Sequence, residues 1–67
     1  LIKPQFEVGR ENVDKGGIVR NEHIRKKCCE EIIFWLENVI KWRVKDLTES
    51  PIKGAKGNVE YLIHAKK

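Results

Sequence analysis

The chain contains no methionine, only two prolines, and no glycine-rich nucleotide-binding motif. Neither GxGxxG nor a Walker sequence occurs, so the chain has no recognisable nucleotide cradle of its own. It also lacks a signal peptide and any apolar run of the roughly 20 residues that a membrane-spanning helix needs. Because the sequence starts at Leu1 and has no methionine, we expect that upstream residues have been removed.

Cysteine is scarce, and the two cysteines are neighbours, Cys28 and Cys29. Adjacent positions on a helix point about 100° apart, which is poor geometry for an ordinary disulfide. No CxxC pair and no Cys/His ligand spacing is present, so no metal site is expected. Free thiols fit a reducing compartment, and we therefore expect a cytoplasmic protein without a membrane partner.

Charge is moderately unbalanced, with 14 Lys and Arg against 10 Asp and Glu in 67 residues and a formal net charge of +4. A basic excess favours contact with nucleic acid or another acidic surface. A solvated surface with a few extra lysines explains the same composition equally well. The length allows one domain at most, with a small core.

Turn residues and hydrophobic periodicity divide the chain into four regular elements. The pattern predicts a strand over 1–5, a loop over 6–20, a helix over 22–40, and strands over 42–48 and 58–66. Asn21 is the expected N-cap of the helix. Nine residues share a wide apolar stripe that we interpret as core-facing: Ile24, Cys28, Cys29, Ile32, Ile33, Trp35, Leu36, Val39 and Ile40.

The order β-α-β-β indicates an α/β fold, with the first two strands parallel and the last strand antiparallel. Strict alternation places Val44 and Leu47 on opposite faces of their strand, and Glu60 and His64 together on one face of the last strand. One helix cannot cover both faces of a sheet. We therefore expect an exposed sheet face or edge and a homo-oligomer formed through it.

Five basic residues lie in the loops and are candidates for contact with nucleic-acid phosphates. The candidates are Arg10, Lys15, Arg20, Lys53 and Lys56. Gly16 and Gly17 give the first loop the backbone freedom that a phosphate contact needs. The alternative is a long connection with glycine at its tight bends and charges that face only water.

Several short sequences, taken together, resemble the C-terminal part of a known family. They are KPQFE at 3–7, GR at 9–10, KGGIVR at 15–20, SPIKG at 50–54 and GNVEY at 57–61. The family is the FtsJ-like ribosomal RNA methyltransferases, in the branch called haemolysin A or TlyA. The resemblance implies a partial Rossmann-like sheet. This sequence departs from the family pattern at the end of the helix, where the family commonly has glycine and this chain has Lys41.

The resemblance implies roles for two residues of this chain. The family uses a Lys–Asp–Lys–Glu set, whose second lysine corresponds to Lys3 and whose glutamate corresponds to Glu60. The other two members have no counterpart here. The implied reaction transfers a methyl group from S-adenosylmethionine to a ribose 2′-hydroxyl of ribosomal RNA. We expect no cofactor to bind the 67 residues alone, because the glycine-rich turn and the acidic ribose-binding residue are absent.

Physical chemistry makes Glu60 the less ordinary of the two, since a carboxylate within an apolar strand needs a partner. We expect Lys3, on a neighbouring strand, to be that partner. A nearby carboxylate favours protonated lysine. Glu60 is therefore interpreted as positioning Lys3 or the ribose rather than activating a base. His64 is interpreted as an ordinary histidine rather than a ligand.

The leading hypothesis is a C-terminal methyltransferase segment that is inactive alone. One alternative is a small basic βαββ module that binds RNA or protein, which would need a charged groove or stacking aromatics. Another is a membrane-lytic haemolysin, which only the family's older name suggests.

Overall fold

The computed structural model describes residues 1–67. Helix α1 spans Pro4–Glu7, helix α2 spans Glu22–Trp35, strand β1 spans Arg43–Glu49 and strand β2 spans Tyr61–Lys66. Two 3-10 turns, Arg10–Asn12 and Ala55–Gly57, lie in the connections. None of the helices has the length and apolar character that crossing a bilayer requires.

The start of the chain differs from its prediction as a strand over 1–5. Only Ile2 pairs with the sheet, through an antiparallel bridge to Tyr61 with N···O distances of 2.7 and 3.0 Å. Lys3 keeps the extended backbone that a following proline favours, and helix α1 then begins at Pro4. Proline fits the first helical position because its missing N–H would have no partner there. The strand prediction therefore failed at Pro4.

The sheet contains β1 and β2 in an antiparallel pair. The predicted parallel pairing of the first two strands is not confirmed, because the first segment contributes one bridge and no strand. Residues 58–60, which were predicted to belong to the last strand, precede β2. The backbone carbonyls of Asn58 and Glu60 instead accept hydrogen bonds from Gly54 and Ser50, both at 2.8 Å.

Strand β1 contains a bulge that overturns the predicted alternation of its faces. The register changes between Val44 and Asp46, so Val44 pairs with Ala65 and Leu47 pairs with Ile63. Because Ala65 and Ile63 are two residues apart in β2, Val44 and Leu47 share one face. Both are half-buried. Lys45 is the extra residue, a feature that simple alternation cannot predict.

Helix α2 begins as the sequence predicts. The Asn21 side-chain oxygen accepts hydrogen bonds from the backbone N–H groups of His23 and Ile24, at 2.9 and 3.2 Å. On the exposed face, Lys26 Nζ lies 3.1 Å from a Glu22 carboxylate oxygen, and this hydrogen-bonded ammonium lowers the pKa of Glu22. The helix continues as a π-helix over Leu36–Ile40 and ends at Lys41.

The core lies between the middle of α2 and the sheet. Its buried members are Ile2, Cys28 and Cys29, and half-buried side chains pack around them: Val8, Ile32, Leu47, Tyr61 and Ile63. The predicted apolar stripe therefore faces the core only as far as Ile32 and Ile33. Trp35, Val39 and Ile40, which were expected to be core-facing, are exposed. The core cluster ends before they are reached.

Candidate active site

Glu60 is a buried carboxylate, with 6% of its surface exposed. The Gln5 side-chain amide donates a hydrogen bond to Glu60 Oε2 at 2.9 Å. On another side, the carboxylate lies directly against Gly54, so that a methyl group at residue 54 would overlap Glu60 Oε2 and Cδ. The predicted partner of Glu60 was Lys3, and the structure corrects this prediction, because the partner is Gln5.

The backbone of Lys3 lies opposite the backbone of Glu60. The bridge between Ile2 and Tyr61 sets an antiparallel register, and one step along it pairs Lys3 with Glu60. The Lys3 ammonium lies 5.7 Å from the centre of the Phe6 ring, within the range of a cation–π contact. The two salt bridges of the molecule involve other residues. The lysine and the glutamate are thus neighbours in register but form no ion pair.

Gln5 has one unusual atom. Its amide nitrogen binds Glu60, while its Oε1 is buried and has no hydrogen-bond partner. Buried carbonyl oxygens nearly always accept a hydrogen bond. Gln5 therefore presents a free acceptor beside the buried carboxylate. Gln5 belongs to the KPQFE motif, but spacing in the sequence gives no sign of which side chain contacts Glu60.

Asn58 joins the two loops that carry most of the candidate RNA-binding residues. Its side-chain oxygen accepts from the Val19 backbone N–H at 2.9 Å. Its amide donates to the Gly17 and Ala55 carbonyls at 2.8 and 3.0 Å. Asn58 is 1% exposed, so it is a buried and fully bonded connection between the loops. The sequence analysis did not assign it a site role.

The connection made by Asn58 brings together part of the predicted basic set. The Lys56 ammonium lies beside Gly17, 3.7 Å from where a Cβ would stand, and Gly17 is two residues from Lys15. The Arg20 guanidinium donates to the Lys15 carbonyl at 3.4 Å and lies 3.7 Å from a carboxylate oxygen of Asp14.

The other two members of the basic set lie apart from this surface. Arg10 begins a separate 3-10 turn, and Lys53 precedes Gly54. All five basic residues are exposed. We use the name basic loop surface for Lys15, Arg20 and Lys56 together with the Gly16–Gly17 turn.

Arg25 connects α2 to this region, a role that the sequence did not reveal. Its Nε donates to the Tyr61 hydroxyl at 3.3 Å. Its Nη1 donates to the carbonyls of Val19 and Arg20 at 3.3 and 2.9 Å. One side chain therefore links the helix, the first loop and β2. His64 is exposed on the strand face opposite the core, in line with its interpretation as an ordinary histidine.

Comparison with known proteins shows a consistent set of relatives. The sequence profile of the FtsJ-like methyltransferases matches residues 1–67. Hemolysin A of Brachyspira hyodysenteriae is 50% identical over 66 residues, which cover 96% of this chain and 26% of that protein. The 16S/23S rRNA (cytidine-2'-O)-methyltransferase TlyA of Mycobacterium tuberculosis is 35% identical over 63 residues, which cover 94% of this chain and 23% of that protein.

A solved structure has the same fold, and its sequence identity to this chain is higher than that of the Mycobacterium tuberculosis relative. A candidate hemolysin from Lactococcus lactis superposes with a TM-score of 0.90 at 45% identity, covering 97% of this chain and 30% of that one. The chain thus spans about a quarter of the length of the curated relatives that it matches.

Proposed function

This chain belongs to the FtsJ-like methyltransferase family, and on that premise we propose that it is a segment of a ribosomal RNA 2′-O-methyltransferase. The observation that carries the proposal is Glu60, a carboxylate buried at the edge of the sheet and opposite Lys3 in register. Charged groups are seldom buried without a purpose in function or pairing. The name of the Mycobacterium tuberculosis relative supports the reaction, methylation of a cytidine ribose. We further propose that the protein acts in the cytoplasm.

S-adenosylmethionine would supply the methyl group in the intact enzyme. The residues present here do not fit that cofactor, because the one Gly-Gly turn closes a small hairpin at Asp14 and Ile18 and faces Lys56. It therefore lies outside the strand-to-helix turn that binds nucleotide-like cofactors. The cofactor is accordingly assigned to parts of the family fold beyond these residues.

The proposed chemistry of this chain concerns the ribose hydroxyl. A 2′-hydroxyl is a weak nucleophile that must lose its proton while it attacks the methyl carbon. The proposed role of Lys3 is to steer that proton, and the absence of an ion pair with Glu60 leaves its ammonium group available for this. The Glu60 carboxylate orients the ribose by hydrogen bonding. Both roles are proposals that rest on the family motif and on the register of the two residues.

The test of this proposal uses an enzyme in which residues 1–67 replace the matching segment of Mycobacterium tuberculosis TlyA. We expect Lys3→Ala and Glu60→Ala each to slow RNA methylation by about 100-fold. Cofactor affinity, measured by calorimetric titration, should stay within about twofold. Thermal unfolding of each variant confirms that the hybrid is folded. Unchanged turnover in both variants would remove these residues from the site.

A second test uses the 67 residues alone. We expect the isolated chain neither to bind S-adenosylmethionine nor to methylate RNA, since the residues that would hold the cofactor lie outside it. Calorimetric titration checks the first expectation and transfer of a labelled methyl group checks the second. Micromolar cofactor binding by the isolated chain would contradict the assignment as a segment.

The basic loop surface supports RNA as the partner. Three cations lie on two loops that Asn58 holds together, which suits contact with successive phosphates. In the hybrid enzyme, Lys15→Ala and Lys56→Ala should each reduce the slope of log affinity against log salt by about 1. If the isolated chain bound RNA tightly and with strong salt dependence, the alternative of a small independent RNA-binding module would be favoured instead.

A further inference from the structure

The Glu60 carboxylate is fixed by two residues that the family motif does not count as catalytic. Gln5 donates a hydrogen bond to one of its oxygens at 2.9 Å, and Gly54 lies directly against the same oxygen. Gln5 comes from helix α1 and Gly54 from the loop before β2. The carboxylate therefore contacts two segments that are about 50 residues apart in sequence.

The hydrogen bond from Gln5 has a clear electrostatic role. An ionised carboxylate loses most of its hydration when it is buried, and an N–H donor replaces part of that hydration. The amide is the donor that contacts Glu60, and Lys3 does not contact it. Gln5 therefore supplies the one side-chain hydrogen bond that the Glu60 carboxylate accepts.

Gly54 acts by its lack of a side chain. Its backbone angles, φ −81° and ψ −163°, are open to any residue, so its conformation does not explain the glycine. A Cβ at this position would overlap Oε2 and Cδ of Glu60, whose side chain is buried and bonded to Gln5. Any larger residue must therefore displace the carboxylate.

We propose that Gln5 and Gly54 are positioning residues of the methyl-transfer site, which hold the Glu60 carboxylate where it meets the ribose. This inference rests on the proposed function. The pair explains why Glu60 can stay buried without an ion pair to Lys3.

The contact itself can be tested in the isolated chain, apart from activity. Gln5 is the only glutamine of the sequence, so its side-chain amide gives one pair of signals in a ¹H–¹⁵N spectrum. We expect Glu60→Ala to shift this pair and to accelerate its exchange with water, because the acceptor is removed. Leu62→Ala, an exposed neighbour in β2, is the control and should leave it unchanged. Gln5 signals that do not respond to Glu60→Ala would overturn the inference.

The positioning role is tested by kinetics in the hybrid with Mycobacterium tuberculosis TlyA. Gln5→Met keeps the length of the side chain and removes the donor. We expect kcat to fall by about 10-fold to 100-fold, since small displacements of a catalytic group have effects of that size, while KM for the cofactor stays unchanged. Gly54→Ala should give the same result. Gly9→Ala is the matched control, because only the movable side chain of Glu11 lies in its way.

A double-mutant cycle separates positioning from a purely structural effect. If Gln5 acts through Glu60, Gln5→Met should cause no further loss of kcat in a Glu60→Ala background. An equal loss in both backgrounds would overturn the positioning role. Full activity of Gln5→Met beside an inactive Glu60→Ala would contradict only this inference, whereas an active Glu60→Ala would contradict the proposed function.

Discussion

Lys41 ends the main helix in a backbone conformation that suits glycine. Its φ of 67° and ψ of 32° are left-handed, and its N–H bonds the Leu36 carbonyl. Residues with a Cβ occupy this region at a penalty of about 1–2 kcal/mol. The strain is therefore stored at the C-terminal end of the main helix.

Replacing Lys41 by glycine should stabilise the chain. We expect Lys41→Gly to raise the free energy of unfolding by about 1 kcal/mol, because the left-handed penalty is removed and only part of it is lost to the greater freedom of glycine in the unfolded chain. Urea unfolding measures the change. Lys41→Ala is the control and should bring no gain, since alanine keeps the Cβ. Equal stabilisation by both substitutions would show that lysine charge, and not backbone angle, is responsible.

Cys28 makes the free energy of unfolding depend on pH in the alkaline range. Burial, and then the neighbouring Cys29, raise the pKa of the Cys28 thiol from 9.0 to about 11. Between these values the unfolded chain loses the proton while the folded chain keeps it. The contribution of Cys28 to stability is therefore complete below pH 9 and falls as pH rises toward 11.

We expect the difference in unfolding free energy between the native chain and Cys28→Ala to shrink from pH 8 to pH 11. Using the difference cancels the titration of lysines and tyrosine, which both chains share. Denaturant unfolding at several pH values measures it, with a reductant present. A difference that is constant across this range would contradict the raised pKa.

The motif led directly to Lys3 and Glu60 but could not supply their surroundings. Glu60 in an apolar strand indicates a carboxylate in need of a partner, and that need is met. The identity of the partner depends on α1, which turns at Pro4 and brings Gln5 to the carboxylate. Such a contact across 55 positions leaves no local pattern in the sequence.

Two connecting loops are held to each other by Asn58. This buried side chain makes three hydrogen bonds, to the Val19 N–H and to the carbonyls of Gly17 and Ala55. Removing the side chain leaves the buried Val19 N–H without an acceptor, at a penalty of about 1–3 kcal/mol, and also removes the bonds to the Gly17 and Ala55 carbonyls. The loops and the basic loop surface they carry therefore depend on one amide.

We expect Asn58→Ala to lower the free energy of unfolding by about 2–4 kcal/mol and to speed hydrogen exchange at the Val19 amide. Asn38→Ala is the control, because Asn38 is exposed and its amide bonds only the Phe34 carbonyl of its own helix. Exchange at Val19 that is as slow in Asn58→Ala as in the native chain would contradict the role of this connection.

Helices and strands differed in how well their sequences predicted them. Helix α2 was predictable because an N-cap and a 3.6-residue period act locally. The bulge at Lys45 was not, because it arises from the fit of β1 against β2 and has no signal within the strand. The structure at Pro4 was ambiguous for a different reason, since proline suits both the end of a strand and the start of a helix.

The molecule as a whole leaves much apolar surface in water. Phe34 and Trp35 are 66% and 50% exposed, and Val39, Ile40 and Trp42 follow them within the next seven positions. Monomeric proteins rarely keep such surfaces uncovered. We therefore expect the isolated chain to self-associate.

Sedimentation velocity tests this expectation over a range of concentrations. The weight-average sedimentation coefficient should rise with concentration for the native chain and rise less for the double variant Trp35→Lys, Val39→Lys. Ile52→Lys is the control, since Ile52 is more exposed than Trp35 or Val39 but lies in a loop away from this helix end. A native chain that stays monomeric at the highest concentration would contradict the prediction.

The bridge between Ile2 and Tyr61 has a kinetic consequence. It closes almost the entire polymer into one ring, and the entropy of closing a ring grows with its length. Contacts that span such a distance are slow to form compared with those within a helix or hairpin. Gln5 reaches Glu60 only when that ring is shut. The proposed catalytic geometry should thus be among the last features to assemble during refolding and the first to be lost when the ends of the chain fray.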